Sequence, residues 1–315
     1  PLEGFEGTVL ILFGADPLIS TATLERLIEA RRGPDAPLLV VLGFRPADPA
    51  QYGRLVVDGA GQLERIVEYW DADEATRSID LCNSGAMAVD AATLSMLLAR
   101  LGNDNAKGEY YLTDIVGLAC HDGARCAVVE GNSDELVGID TREDLARAEA
   151  GFQVSARRAA LAGGATLIDP ETVWFSFDTE IGRDVVVEPN VFFGPGVKIG
   201  DGVSIKAFSH LEGCVVRDGA TVGPFARLRP GADIGAQAKI GNFVEVRKSQ
   251  IHRGAKVNHL TYIGDATVGE NANIGAGTIT ANYDGFRKAQ TEIGADASIG
   301  SNAVLVAPVK IGRGA

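Results

Sequence analysis

Between residues 225 and 256 the chain gathers Arg227, Arg229, Lys239, Arg247, Lys248, Arg253 and Lys256 against only Asp233 and Glu245, while its formal net charge is −13. Such a local reversal of sign suits a small anionic ligand or a solvated face, and the acidic whole argues against nucleic acid or an anionic membrane as partner. His259 follows directly. Imidazole ordinarily titrates near neutrality, so His259 can serve as a general base or be a packed histidine. Two further places carry polar chemistry outside regular pattern. Asp16 sits in Gly14-Ala15-Asp16-Pro17, a sharp turn closing the apolar run 8–13, and Asn282, Tyr283, Arg287 and Lys288 interrupt a repeat. Cys82, Cys120, Cys126 and Cys214 form no Cys-x-x-Cys pair and are too sparse for a disulfide framework, which suits buried thiols in a reducing cytoplasm.

The elements that must position these residues fall into two regimes. From residue 181 an aliphatic or aromatic residue returns at every sixth position: Ile181, Val187, Phe193, Ile199, Ile205 and Leu211, then, after slips of one, Val216 to Val246, Ile251 to Ile263 and Val268 to Ile274. Past an interruption between Ile279 and Ile293 the series resumes with Ile299, Leu305 and Ile311. A helix cannot use this period, because successive repeats would precess around its surface and leave no apolar stripe. A β-solenoid can. Each hexad supplies a short strand with its aliphatic residue inward plus a corner, three hexads close a triangular coil, and coils stack. Glycines that follow the periodic residue, among them Gly200, Gly235, Gly241 and Gly275, are expected to provide the backbone freedom of the corners. The interruption predicts a protruding loop.

The first half reads as α/β. Apolar runs at 8–13 and 37–44 predict strands buried on both faces of a parallel sheet, 21–32 an amphipathic helix, and 52–57 with 63–69 a hairpin around Asp58-Gly59. Ala91 to Leu101 and a segment opened by the stretch 108–114 predict further helices, and 127–130 a strand. Ligands of such domains gather at strand C-termini, where Asp16 lies. Thr141 with Asp144 three residues on predicts the start of a helix reaching about Leu161, with Leu145, Ala148 and Phe152 on one side. The expected division is an α/β domain over 1–140, a linker helix over 141–162 and a solenoid over 163–315. No run of about eighteen apolar residues and no charged-then-apolar leader occurs, so a soluble protein is expected.

Several stretches exceed what periodicity requires. Gly-Pro-Phe-Ala-Arg-Leu-Arg-Pro-Gly (223–231), Gly-Asn-Phe-Val-Glu-Val (241–246), His-Leu-Thr-Tyr-Ile-Gly-Asp (259–265), Asn-Ile-Gly-Ala-Gly-Thr-Ile-Thr (273–280) and Asn-Tyr-Asp-Gly (282–285) stand in the second half. Tyr52-Gly53-Arg54, Ile66-Val67-Glu68, Asn83-Ser84-Gly85 and Gly108-Glu109-Tyr110-Tyr111 stand in the first. Over nearly the whole chain these resemble the bacterial bifunctional N-acetylglucosamine-1-phosphate uridyltransferase/glucosamine-1-phosphate acetyltransferases. The resemblance implies a partial Rossmann-like nucleotidyltransferase domain followed by a left-handed parallel β-helix. It implies acetyl transfer from acetyl-CoA to glucosamine-1-phosphate and, in the family, uridyl transfer from UTP to N-acetylglucosamine-1-phosphate, giving UDP-N-acetylglucosamine for cell-wall precursors.

Residue by residue, the resemblance implies His259 as proton acceptor; repeat counting puts Glu245 in the adjoining coil, either to orient or polarise His259 or as an exposed rim charge. Arg229, Arg247, Tyr262 and Asn273 match sugar-phosphate contacts, and Ala276, Asn282, Tyr283 and Ser301 match acetyl-CoA contacts, with Lys288 placed to meet CoA phosphates. Phe13, Gly14, Gly53, Glu68, Asn83 and Asp140 correspond to the uridyltransferase substrate site, and Asp140 with Asp16 to its Mg²⁺ site. The family builds its acetyl site between three solenoids, so a homotrimer is implied.

Departures from the family shape the remaining expectations. Ala15 stands where the family has a metal-binding Asp, and at a strand end the displacement to Asp16 would turn the carboxylate to the other face. The family's glycine-rich triphosphate loop has no counterpart, and family members continue beyond the position of Ala315. The expectation is a chain truncated at both ends whose uridyltransferase half is silent. The competing readings are a catalytically silent trimeric scaffold, which would not need His259, Arg229, Arg247 and the 280–290 loop together, and a nucleotide-sugar-binding module, which would retain sugar affinity without CoA-dependent chemistry. A zinc hydrolase using His210, His252 and His259 is set aside because these fall at different phases of the coil.

Overall fold

Six strands form the sheet of the first half: β1 (Thr8–Ile11), β2 (Leu39–Phe44), β3 (Arg54–Val57), β4 (Leu63–Val67), β5 (Cys82–Asp90) and β6 (Cys126–Glu130). They are accompanied by α1 (Thr21–Ala30), α2 (Glu74–Arg77), α3 (Ala91–Leu98) and α4 (Asp114–His121), and α5 (Arg142–Ala162) follows. The computed structural model describes residues 4–33, 36–136 and 138–315. Two compact units divide between Gly151 and Phe152, within α5.

In the first unit the sheet order is β4-β3-β5-β2-β6, with β1 also on β5. Only β2 and β6 run parallel; β1–β5, β2–β5, β3–β4 and β3–β5 are antiparallel. The sheet is therefore mixed rather than parallel. The apolar run 37–44 does give a fully buried strand, β2, because it has a neighbour on each side. The run 8–13 gives β1, which is only half-buried throughout, since β5 alone pairs with it. Apolar content was the same; position in the sheet decided burial. Asp58 closes the β3–β4 hairpin by accepting from the amides of Ala60 and Gln62 at 2.8 and 2.9 Å. Ser20 and Asp90 cap α1 and α3 by accepting from Thr23 N and Thr93 N.

Thr141 and Asp144 start α5 reciprocally: Thr141 N donates to Asp144 Oδ2 at 2.8 Å, and Asp144 N donates to Thr141 Oγ1 at 3.1 Å. The Thr141 hydroxyl and then Arg147 pull the Asp144 carboxyl down to about 2. Ala148 is buried, but Leu145, expected on the same side, is exposed. In the second unit the C-terminal half of α5 meets the first coil through polar groups. The Gln153 amide exchanges two hydrogen bonds with the backbone of Phe175, and buried Arg157 donates to Val173 O and Glu171 O.

From Thr166 the chain winds into stacked triangular coils whose three faces are parallel sheets of eight, seven and eight strands. In coil order we call these face I (from Thr166–Leu167 to Ser298–Ile299), face II (Phe192–Phe193 to Val304–Val306) and face III (Glu180–Ile181 to Val309–Ile311). The hexad residues line the interior: most are buried, and the partly buried Ile181, Leu305 and Ile311 belong to the first and last coils. Each fully buried Val, Leu or Ile contributes roughly 1.5–3 kcal/mol. Ile279 is an exception to the expected phase. It faces outward at 43% exposure, and Thr280 takes the interior place, exchanging hydrogen bonds with Gly264 N and O at 2.8 and 3.1 Å.

The glycines also act differently from expectation. Gly200, Gly235, Gly241 and Gly275 lack positive φ; what each needs is the absence of Cβ, which would overlap the next coil. At Gly241 the overlap would be with the carbonyl of Asn258. The left-handed corner conformation is taken largely by other residues, at the I–II corner by Asn190, Phe208, Phe225, Phe243, Leu260, Gly277 and Asn302. The basic stretch is dispersed likewise: Lys239 and Lys256 belong to face I strands, while Arg227 and Arg247 belong to face II strands.

Candidate active site

Face II holds most of the expected sugar-phosphate residues in register. Arg227, Glu245, Tyr262 and Ile279 are successive Cα partners, and Arg247 pairs with Gly264. Arg229 lies one coil before Arg247, its amide donating to Val246 O at 2.9 Å. Alternation sends Leu228, Val246 and Ile263 inward and these polar side chains out. Arg229 Nη1 donates to Glu245 Oε1 at 2.7 Å, a bond that holds the guanidinium charged, and Arg247 lies 3.9 Å from Asp265. The Tyr262 phenol lies over Gly264, where any Cβ would overlap it, and so points into the column of Arg247. Two guanidiniums and a phenol on three successive coils form a donor array suited to a phosphate dianion.

His259 stands at the edge between faces I and II, exposed, one corner before Tyr262. Its Nδ1 is 2.9 Å from Oδ1 of Asn242, its Cα partner in the preceding coil. Glu245, expected to orient this ring, is instead engaged by Arg229. Asn242, His259 and Ala276 recur at one position in successive coils, their carbonyls accepting from Leu260, Gly277 and Asn302, and Ser301 follows just before Asn302. Asn273 opens the face I strand leading to Ala276 and is exposed between Lys256 and Ser298, with no asparagine ladder around it.

Asn282, Tyr283 and Lys288 lie at the opposite edge, between faces II and III. Asn282 Nδ2 donates to Asp265 Oδ2, and Tyr283 and Lys288 bridge a turn in which Asp284 Oδ1 accepts from Phe286 N and Arg287 N at 2.8 and 2.6 Å. Those amides hold the Asp284 carboxyl below its usual range. Within one chain, then, the residues expected at acetyl-CoA are split between the two edges of face II.

The first unit assembles a second constellation. Gly53 packs so that a Cβ would stand 3.3 Å from Glu68 Oε2 and 3.6 Å from Asn83 Cβ, and the Phe13 ring covers Gly85, where a Cβ would overlap it. Thr113, not anticipated, donates to Glu68 Oε1 at 2.8 Å. Gly14, Ala15 and Asp16 lie in a turn beyond β1, not on the strand, so strand alternation does not govern where Asp16 points. Ile139 N donates to Ala15 O at 3.0 Å, which brings the two segments together. Burial, and then the charge of Asp140, hold the Asp16 carboxyl above its usual range.

Comparison with known proteins decides the family. The six-repeat bacterial transferase hexapeptide model matches residues 178–213. Bifunctional protein GlmU of Paramagnetospirillum magneticum is 61% identical over 314 residues, covering 100% of this chain and 70% of that protein. The GlmU proteins of Sphingopyxis alaskensis and Zymomonas mobilis are 57% and 54% identical over 314 residues, covering all of this chain and 69% and 70% of theirs. The chain belongs to the bifunctional GlmU family.

Within a GlmU-family chain, two residues of the solenoid site escaped the sequence reading. Asn242 and Asp265 both lie inside stretches that carry the resemblance, yet only the stacking of coils, seventeen positions apart in each case, makes them partners of His259 and Asn282. Arg54 shows the converse. It also lies inside a stretch that carries the resemblance, but its guanidinium is buried and donates to the carbonyls of Pro49, Ala50, Tyr52 and Arg77, a structural role.

Proposed function

We propose that the second unit transfers the acetyl group of acetyl-CoA to the amino group of glucosamine-1-phosphate. The observation that carries this reading is the adjacency, on one edge and face of the solenoid, of an exposed imidazole and the Arg229–Arg247–Tyr262 array. The array would hold the phosphate and set the amine before His259. The amine nitrogen then attacks the thioester carbon, its proton passes to His259 Nε2, the C–S bond breaks, and the departing thiolate takes up a proton as free CoA. Ala276 and Ser301, next along the His259 column, and Asn282, Tyr283 and Lys288 at the far edge would meet the acetyl donor, and Asn273 the amino sugar.

That split between edges supports a homotrimer, in which a neighbouring copy would bring one chain's II–III edge to another's I–II edge. A second observation agrees with it. Phe208, Phe225 and Phe243 stack at 4.9 and 5.1 Å along the I–II corner while remaining 45–55% exposed, an apolar ridge suited to burial against another solenoid. The test is thiol release from acetyl-CoA with glucosamine-1-phosphate. Activity that His259→Ala abolishes is expected; undiminished activity in that variant would remove His259 from the chemistry.

For the first unit the reading is a uridyltransferase substrate site. Glu68, Asn83 and Gly53 would contact the sugar nucleotide, UTP or UDP-N-acetylglucosamine, beside Phe13 and Gly14. Asp16 and Asp140, two carboxylates of which the charge of Asp140 is felt at Asp16, are a donor set suited to a hard divalent cation, and they would hold Mg²⁺, whose chemistry is to neutralise phosphate charge. We read the protein as cytoplasmic; none of the described helices is long and apolar enough to cross a membrane, and all four cysteines are free thiols.

A further inference from the structure

We propose that Asn242 is the positioning residue that sets the tautomer of His259 and presents its Nε2 as the proton acceptor; this rests on the acetyl-transfer reading above. Asn242 Oδ1 lies 2.9 Å from His259 Nδ1. A carbonyl oxygen can only accept, so Nδ1 carries the hydrogen and the lone pair of the neutral ring is left on Nε2, the nitrogen free to meet the amine.

The backbone is built to hold this pair in register. Among the eight face I strands, Lys239–Asn242 and Lys256–His259 run four residues where the others run two, and the added length carries the ladder to Asn242 and His259. Leu260 N donates to Asn242 O at 3.0 Å just beyond the pair. Just before it, Gly241 lets the Asn258 carbonyl approach closer than any side chain would allow. The choice of an amide also has a reason. A carboxylate against Nδ1 would favour the imidazolium and withhold the base, whereas a neutral acceptor fixes orientation without adding charge. The nearby carboxylate that could have played that part, Glu245, is engaged by Arg229.

The first readout is long-range ¹H–¹⁵N NMR of the labelled chain above the imidazole titration. It has four histidines, and His259 is assigned by the signal lost in His259→Ala. The expected pattern is a protonated Nδ1 and a pyridine-type Nε2, shifting toward the other tautomer in Asn242→Leu. The second readout is kinetic. Asn242→Leu should lower kcat roughly ten- to a hundredfold with KM for both substrates within about twofold. Asn242→Asp should recover part of kcat and move the acid limb of the pH profile to higher pH. A native His259 protonated on Nε2 would overturn the proposal whatever the variants do. If His259→Ala is inactive while Asn242→Leu keeps the parent kcat, only the role of Asn242 falls; if His259→Ala remains active, the base assignment itself falls.

Discussion

The I–II and II–III corners of the solenoid are made from the same repeats and behave differently. Across the I–II corner the interior residues are six apart in every coil, from Val187–Phe193 through Ile240–Val246 to Ile299–Leu305, and each turn carries one residue of positive φ except the Gly223–Phe225 turn, which carries two. All of the slips fall at the II–III corner: Leu211–Val216, Val246–Ile251 and Ile263–Val268 are five apart. So does the insertion, since Thr280 and Ile293 are thirteen apart. The strands on either side keep their register through the ladder, so one corner can change length without disturbing the stack. His259 sits on the invariant corner. Asp265, Asn282 and the projecting 283–288 turn sit on the variable one. The base, whose nitrogen must meet a proton within tenths of an ångström, is built on the edge of constant length, and the contacts of Asn282 and the 283–288 turn are built on the edge whose length varies.

The largest effect should come from Gly241→Ala, which forces the coil carrying His259 away from its neighbour. We expect a stability loss of about 3 kcal/mol by thermal unfolding and a fall in kcat of more than about a hundredfold. Single-residue insertions test the corners directly. A glycine inserted after Phe225 should destabilise by about 2–3 kcal/mol, because it turns interior residues outward, whereas one inserted after Gly213 should change stability by less than about 1 kcal/mol. Equal effects in denaturant unfolding would erase the distinction between the edges. Phe225→Ala removes the middle ring of the stack and should weaken subunit association by about 1–2 kcal/mol in sedimentation equilibrium, with little change in monomer helix or sheet content. The smallest effect belongs to the variable edge. Asn282→Ala should raise KM for acetyl-CoA by about three- to tenfold and leave kcat within about twofold, as expected for a group that binds without moving protons.

Much of the solenoid was legible because a period of six is incompatible with a helix and each interior place demands an apolar side chain. Thr280 escaped that reading since its hydroxyl is satisfied by the Gly264 backbone one coil away, a partner no local window contains. The glycines were assigned to corners for the same reason: the atoms they would strike belong to the next coil. In the first unit, Asp16 was expected to point away from the site by strand alternation, but it lies in a turn, where alternation has no force.

Composition and periodicity by themselves determined that the chain has an α/β half and a stacked-coil half, and the motif stretches determined its family. Which edge of the coil took the slips, which of the basic residues shared a face, and which side chain reached His259 were decided only by tertiary structure. The physical reason is the length of a coil. Residues seventeen or eighteen positions apart become neighbours through parallel pairing, and each one-residue slip resets which ones they are. Hydrophobic pattern reports whether a side chain points in or out; its partner depends on the sum of every corner between them.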